Sequence, residues 1–415
     1  MRYNKINILI SYKKLLSIFA RVRIKYILFI VILFTPFLTI TQDLENLNYR
    51  NSKHQGDDGT LVFFEAMYHN SSSLSKNDRL SNLMKHKAHA FDFKIGVQTS
   101  GKKSWQQYWG YPTYGIGFYT AFFGAADTLG KPSALYLFYG GPIKRWKKLG
   151  VFYELSLGIA YDFVKYNPVT NPKNEIIGSN INAYLSPRIY LQYQINKRLD
   201  ASIGLALTHF SNGNTRTPNR GVNIYGPNIA LKYNINPVNI FSRKNASLYK
   251  PPIRPEFVKK ERPSVKKMNF LHLFVAGGGK TTSRQLYDGP TYFVGTIAAD
   301  YTRQYSHIAR WGAGIDLFYD SSLREEFVST QNVLIENLTQ FGVHLSNELL
   351  ISRVHFITQF GYYLYNRAFK GSWYIRVNLR VLITDSFGLQ GGLKTLNGGK
   401  ADFIECGIYV RLMKK

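Results

Sequence analysis

Along most of the chain, apolar and polar positions alternate with a period of two. In 199–211, Leu199, Ala201, Ile203, Leu205 and Leu207 share one face, which continues into His209 and Ser211. Asp200, Ser202, Gly204, Ala206, Thr208 and Phe210 share the other face. After a polar loop, 212–221, the chain returns with Asn223, Tyr225, Pro227, Ile229, Leu231, Tyr233 and Ile235 on its apolar side. The same alternation predicts strands near 60–70, 88–99, 112–125, 131–141, 149–165, 179–195, 198–211 and 222–235. Most exceed the five or six residues of a globular strand and approach the roughly ten that cross a bilayer. The connections alternate too: 196–198 is tight, whereas 165–178 and 212–221 are long. Short turns at one end and long loops at the other mark an antiparallel barrel that spans an outer membrane. No internal stretch has eighteen consecutive apolar residues, so none reads as a helical span.

The pattern fails in two places. Residues 1–41 hold a basic run ending at Lys25 and an apolar run from Tyr26 to Ile40, and polar Thr41-Gln42-Asp43 comes next. This reads as a signal peptide, with an uncleaved anchor as the minority reading, and a polar segment, 42–59, follows. Residues 236–267 contain Pro237, Pro251, Pro252, Pro255 and Pro263 among Lys and Arg, which suits an extended linker and not a strand. Beyond it, 268–415 resumes the alternation with about eight further strands, among them 291–305, 311–319, 354–365, 373–383 and 401–412. Two eight-strand barrels and one sixteen-strand barrel both satisfy this pattern; so long a linker favours separate closure.

Composition changes the picture only in part. Thirty Tyr and 28 Phe suit the aromatic girdles of a membrane barrel. One cysteine, Cys406, rules out an intrachain disulfide and argues against a thiolate zinc site. The net charge of +28 is concentrated in the leader and in 243–267. No recognition helix, RNA-binding motif or zinc finger accompanies it, so a cationic surface beside anionic lipid phosphates explains it better than nucleic acid does. His54, His69, His86 and His89 lack carboxylate or thiol partners at ligand spacing, so no metal is expected. Gly277-Gly278-Gly279-Lys280-Thr281-Thr282 has the wrong spacing for a phosphate loop and reads as a strand end and turn.

The chemistry-bearing residues stand at the top of the apolar faces of 199–211 and 222–235. A serine esterase needs a nucleophile, a base in hydrogen-bond reach, a group that orients the base, and donors for the oxyanion. His209 and Ser211, two residues apart on one face, have backbones about 7 Å apart by strand rise. A histidine leaning along the strand brings the two side chains together. Asn223 enters on the neighbouring strand and offers an amide oxygen to the imidazole. Asn212, Gly213 and Asn214, in the turn directly after Ser211, are the expected oxyanion donors.

His209-x-Ser211-Asn212 followed by Pro218-Asn219-x-Gly221-x-Asn223 resembles the motif of the lipid A 3-O-deacylase family, also called acyloxyacyl hydrolases. Gly110-Tyr111-Pro112, Asn171-Pro172-Lys173-Asn174 and Gly178-Ser179 are also family-like, and the resemblance covers about 60–235. It implies an eight-stranded outer-membrane barrel, whose even strand count puts both chain ends, the N-terminus included, in the periplasm and the loop after the seventh strand outside. It also implies hydrolysis of the 3-linked acyl ester of lipid A, the lipid of lipopolysaccharide, with no cofactor. Ser211 would be the nucleophile, His209 the base and Asn212 an oxyanion contributor, with Asn219 and Gly221 shaping the loop. The family's third triad member is a glutamate, and the matching position here is Asn223, which orients an imidazole without supplying charge.

Three alternatives remain at this point: a catalytically silent barrel serving as a pore, a structural or adhesive barrel, and an esterase of glycerophospholipids. The second half contributes no site. His344-Leu345-Ser346-Asn347 repeats the local letters, but His344 and Ser346 share the more polar face of their strand and are expected to point into the lumen. The sequence leaves the oligomeric state undetermined.

Overall fold

The computed structural model describes residues 61–74, 83–84, 87–235, 254–255, 257, 263–282, 287, 289–327, 334–368 and 370–415. The expected signal peptide, the polar segment after it and most of the expected linker lie outside the described residues.

Among the described residues sixteen strands close into two separate barrels of eight, each neighbour pair antiparallel and, apart from the closing pair of each barrel, consecutive in sequence. The first comprises β1 (Leu61–Ser73), β2 (Ala88–Gln98), β3 (Thr113–Phe122), β4 (Gly130–Arg145), β5 (Leu149–Phe163), β6 (Asn182–Gln194), β7 (Leu199–Ser211) and β8 (Val222–Asn234). The second comprises β9 (Asn269–Lys280), β10 (Tyr292–Ser306), β11 (Ala309–Asp320), β12 (Thr339–Ile351), β13 (Val354–Asn366), β14 (Trp373–Leu382), β15 (Phe387–Leu396) and β16 (Lys400–Lys414). The choice left open between one large barrel and two small ones is therefore decided for two. β8 pairs with β1, and β16 with β9, so each sheet closes on itself and has no exposed edge.

Burial alternates as the sequence does. On β8, Val222, Ile224, Asn228, Ala230 and Lys232 are buried, while Tyr225, Pro227, Ile229, Leu231 and Tyr233 are exposed. Large apolar side chains thus face outward, the reverse of a water-soluble protein, because hydrocarbon is the solvent there.

The insides are filled. In the first barrel Tyr119, Tyr136, Tyr184, Phe123, Phe163 and Phe210 pack together beneath the long loops. Lower down, Lys94 bridges Glu65 and Glu154, and Arg188 reaches Glu65, Asn228 and Ser202. At the tight-turn mouth, Arg254 bonds both carboxylate oxygens of Asp200, and Phe257 stacks edge-on against Tyr111. In the second barrel Arg376 joins Asp316 to Glu405, and Glu348 takes Arg310, Arg380 and His355. Eight strands leave room for side chains and no continuous channel, and here side chains occupy that room.

The barrels stand side by side with their long loops at the same end. At that end Asn167 Nδ2 donates to the Tyr287 hydroxyl at 3.0 Å. At the tight-turn end Trp109 Nε1 donates to the Leu350 carbonyl at 2.8 Å, and Tyr108 stacks on His307 with ring centroids 4.4 Å apart.

Candidate active site

The site begins with register. β7 and β8 pair so that His209 lies directly opposite Asn223, and Ser211 follows His209 by two on the same outward face. Cross-strand partners are close neighbours, and the side chains meet. Asn223 Oδ1 is 2.6 Å from His209 Nδ1, and His209 Nε2 is 2.9 Å from Ser211 Oγ. The imidazole is therefore held at both nitrogens. An amide oxygen at Nδ1 requires a proton there, which leaves the Nε2 lone pair facing the serine hydroxyl.

This relay stands on the lipid side of the barrel. Below His209 on the same face, Ile203 is 58% exposed and Leu205 66%, with Tyr225 and Ile229 beside them on β8. Phe210, between the two relay residues, points inward and is fully buried. Ser211 itself is only 7% exposed, so the hydroxyl is recessed at the head of an open apolar strip.

The turn after Ser211 departs from the β region. Gly213 and Asn214 both have left-handed φ, 63° and 69°. Asparagine tolerates that conformation better than most side chains. Among the described residues neither the Gly213 nor the Asn214 amide has a backbone acceptor. Asn212, expected with them as an oxyanion donor, has its donors turned into the loop. Its backbone N–H donates to Asn219 Oδ1 at 3.1 Å, and its Nδ2 donates to Ser179 Oγ at 2.8 Å and to the Arg216 carbonyl at 3.0 Å. Buried amide groups take the nearest acceptors, and this loop surrounds Asn212 with them.

Several of the remaining family-like residues brace the same loops. Asn219 holds Asn212, and Gly221, at φ 72°, leaves room for the imidazole: a Cβ there would stand 3.0 Å from His209 Cε1. Asn171 and Asn174 are buried and donate to the Val164 carbonyl and its neighbours, tying down the β5–β6 loop. That loop then pairs with the β7–β8 loop through Ile177 and Asn219. Gly110 and Tyr111 lie at the opposite end, where Arg145 donates to both carbonyls.

Sequence reasoning missed the contribution of the second barrel. Thr281, Asp402 and Ile404 all touch Gly213 or Asn214. Thr281 belonged to the glycine-rich strand end and Asp402 and Ile404 to the strand expected at 401–412, but nothing in either pattern pointed to the site. His344 faces the lumen as expected, bonded to Asp316 at 2.6 Å and Asp300 at 2.7 Å. Among the described residues no group of His, Cys, Asp and Glu has the arrangement of a metal site.

Fold and site together define an outer-membrane β-barrel of an ester-hydrolase type, with its polar relay on the lipid face. Residues 90–232 match the family model described as lipid A 3-O-deacylase, and 269–415 match that of the acyloxyacyl hydrolase C-terminal domain. The chain belongs to the lipid A 3-O-deacylase family.

Solved structures similar to it include the outer membrane enzyme PagL, at 14% identity and a TM-score of 0.28, over 42% of this chain and 99% of that one. Neisserial surface protein A matches at 11% identity and 0.29, over 44% of this chain and 100% of its own. The Salmonella typhi outer membrane phospholipase matches at 8% and 0.17, over 90% and 96%. No curated protein matches.

Proposed function

We propose that this chain is an outer-membrane serine esterase that removes the ester-linked acyl chain at the 3-position of lipid A. Ser211 is the nucleophile, His209 the general base and Asn223 the group that orients it. The Gly213 and Asn214 amides serve as oxyanion donors, and Asn212, Asn219 and Gly221 shape the loop that presents them. The observation that carries this reading is the Asn223–His209–Ser211 relay, at 2.6 and 2.9 Å, placed outside the barrel above exposed Leu205 and Ile203. An acyl chain lying along that strip brings its ester to the recessed hydroxyl without leaving hydrocarbon. In this reading the long loops face outward and the N-terminus is periplasmic, so the site meets the leaflet that carries lipopolysaccharide.

The chemistry runs in two halves. His209 Nε2 takes the Ser211 proton as Oγ attacks the ester carbonyl, and the amides of the turn receive the oxyanion. Collapse expels the sugar oxygen, which takes the proton from Nε2, and leaves an acyl-serine. Water, deprotonated by the same nitrogen, then releases the fatty acid and restores the hydroxyl.

The test uses purified full-length protein in mixed micelles with lipid A or with glycerophospholipid, beside Ser211→Ala. Release of one ester-linked chain from lipid A by the wild type alone is the expected result. Release from the glycerophospholipid alone would move the substrate, and no release from either would contradict the esterase reading.

A further inference from the structure

The turn assigned to the oxyanion is not supported by its own barrel alone. Asn214 Nδ2 donates to the carbonyls of Thr281 and Asp402, each at 3.3 Å. The Thr281 amide donates back to the Asn214 carbonyl at 3.0 Å, and its hydroxyl does so at 3.3 Å. The Ile404 side chain lies against Gly213 so closely that a Cβ there would fall 2.3 Å from Ile404 Cδ1. Arg216, two residues on, donates to Thr291 Oγ1 at 3.2 Å.

The holding residues are themselves fixed. Thr281 directly follows Lys280, the last residue of β9, and Asp402 lies near the start of β16. Inside the second barrel, the Asp402 carboxylate receives Lys280 at 2.5 Å, Lys370 at 2.6 Å and Lys394 at 2.7 Å. Lys280 and Lys370 also pair with Asp320. All these side chains are mostly or wholly withdrawn from solvent. A five-member ion cluster thus locks together the two strand ends that grip Asn214.

We propose that the second barrel is a positioning element of the first barrel's site, holding the Gly213–Asn214 turn through Thr281, Asp402 and Ile404. The inference rests on the esterase reading and adds to it a role for residues that act through the turn. A non-glycine residue in the left-handed region, such as Asn214 at φ 69°, persists when its surroundings enforce it. Oxyanion donors act through being fixed before the charge forms, and loss of one costs about 10²–10³ in turnover. A neighbour that pins the turn from behind meets both needs.

The experiment compares full-length wild type with Ile404→Ala, Ile404→Val and Thr281→Val, using Ser211→Ala as the blank. Lipid A hydrolysis in micelles gives kcat and KM, heat-modifiable gel mobility reports folding, and hydrogen exchange is followed at the Gly213 and Asn214 amides. Ile404→Ala is expected to lower kcat about tenfold or more with KM unchanged and both amides exchanging faster. Ile404→Val is expected to restore most of the rate. Thr281→Val, the milder change, loses about threefold, again in kcat, and decides the matter if Ile404→Ala does not fold. Wild-type kcat in Thr281→Val and in any folded Ile404→Ala, or a loss confined to KM, overturns the proposal and leaves the esterase standing. A wild type no faster than Ser211→Ala overturns the esterase, and this role with it.

Discussion

In the proposed mechanism Asn223 is the residue on which the rate turns. Its amide oxygen fixes the His209 tautomer as well as a carboxylate would, at 2.6 Å, yet it adds no charge when the imidazolium forms. In serine triads the acid-to-amide exchange costs up to about 10⁴ in turnover. Asn223→Glu is therefore expected to raise kcat on lipid A by at least about tenfold at neutral pH, measured as fatty-acid release. No gain would mean that another group already supplies the charge.

Gly221 makes a second prediction at the same scale. Alanine there meets His209 Cε1 at 3.0 Å and is strained at φ 72°, so the ring must shift. Gly221→Ala is expected to lower kcat by about tenfold, because a misplacement of about 1 Å can cost about 10²-fold and here the ring has to give by a few tenths of an ångström. Unchanged turnover in a folded variant would show that the imidazole has slack.

At the scale of the element, β7 carries two jobs on one strand. Its inward face supplies Phe210 to the aromatic cluster, and its outward face supplies both a lipid contact and the relay. This division was legible in the sequence because a period of two assigns every side chain once one residue is placed. The outward direction of His209 and Ser211, and the inward direction of His344, follow from the same parity. What parity cannot reach is the loop. Asn212 sits beyond the last strand residue, where side-chain direction depends on the acceptors that folding brings near: Arg216 from the curl of the same loop and Ser179 from the β5–β6 loop. Leu205→Arg tests the face directly: a charge near the bilayer midplane costs about 2–4 kcal/mol. Unfolding in lipid vesicles should show a loss of that size, whereas a neutral outcome would mean Leu205 does not face hydrocarbon.

At the scale of the molecule, two filled barrels argue against conduction. Arg376 is completely buried between Asp316 and Glu405, and the neighbouring lumen is taken up by further ion pairs. Planar-bilayer recordings of the full chain should show no sustained conductance steps, and regular steps would revive the pore reading. Removing one partner from such a network strands a buried charge, so Arg376→Met is expected to destabilise the second barrel by about 3–5 kcal/mol in urea unfolding. The eight-plus-eight strand count was readable from the alternation and the proline-rich break. The docking of one barrel on the other was not, since it uses main-chain carbonyls and scattered side chains, among them Trp109, Asn167, Tyr287 and Ile404, that no spacing singles out.

The most direct test is the mass spectrum of lipid A from cells carrying either the wild-type chain or Ser211→Ala. A relay that works on lipid in place should remove one ester-linked acyl chain with the wild type and none with the variant. Identical spectra from the two strains, with both proteins folded in the outer membrane, would contradict the account.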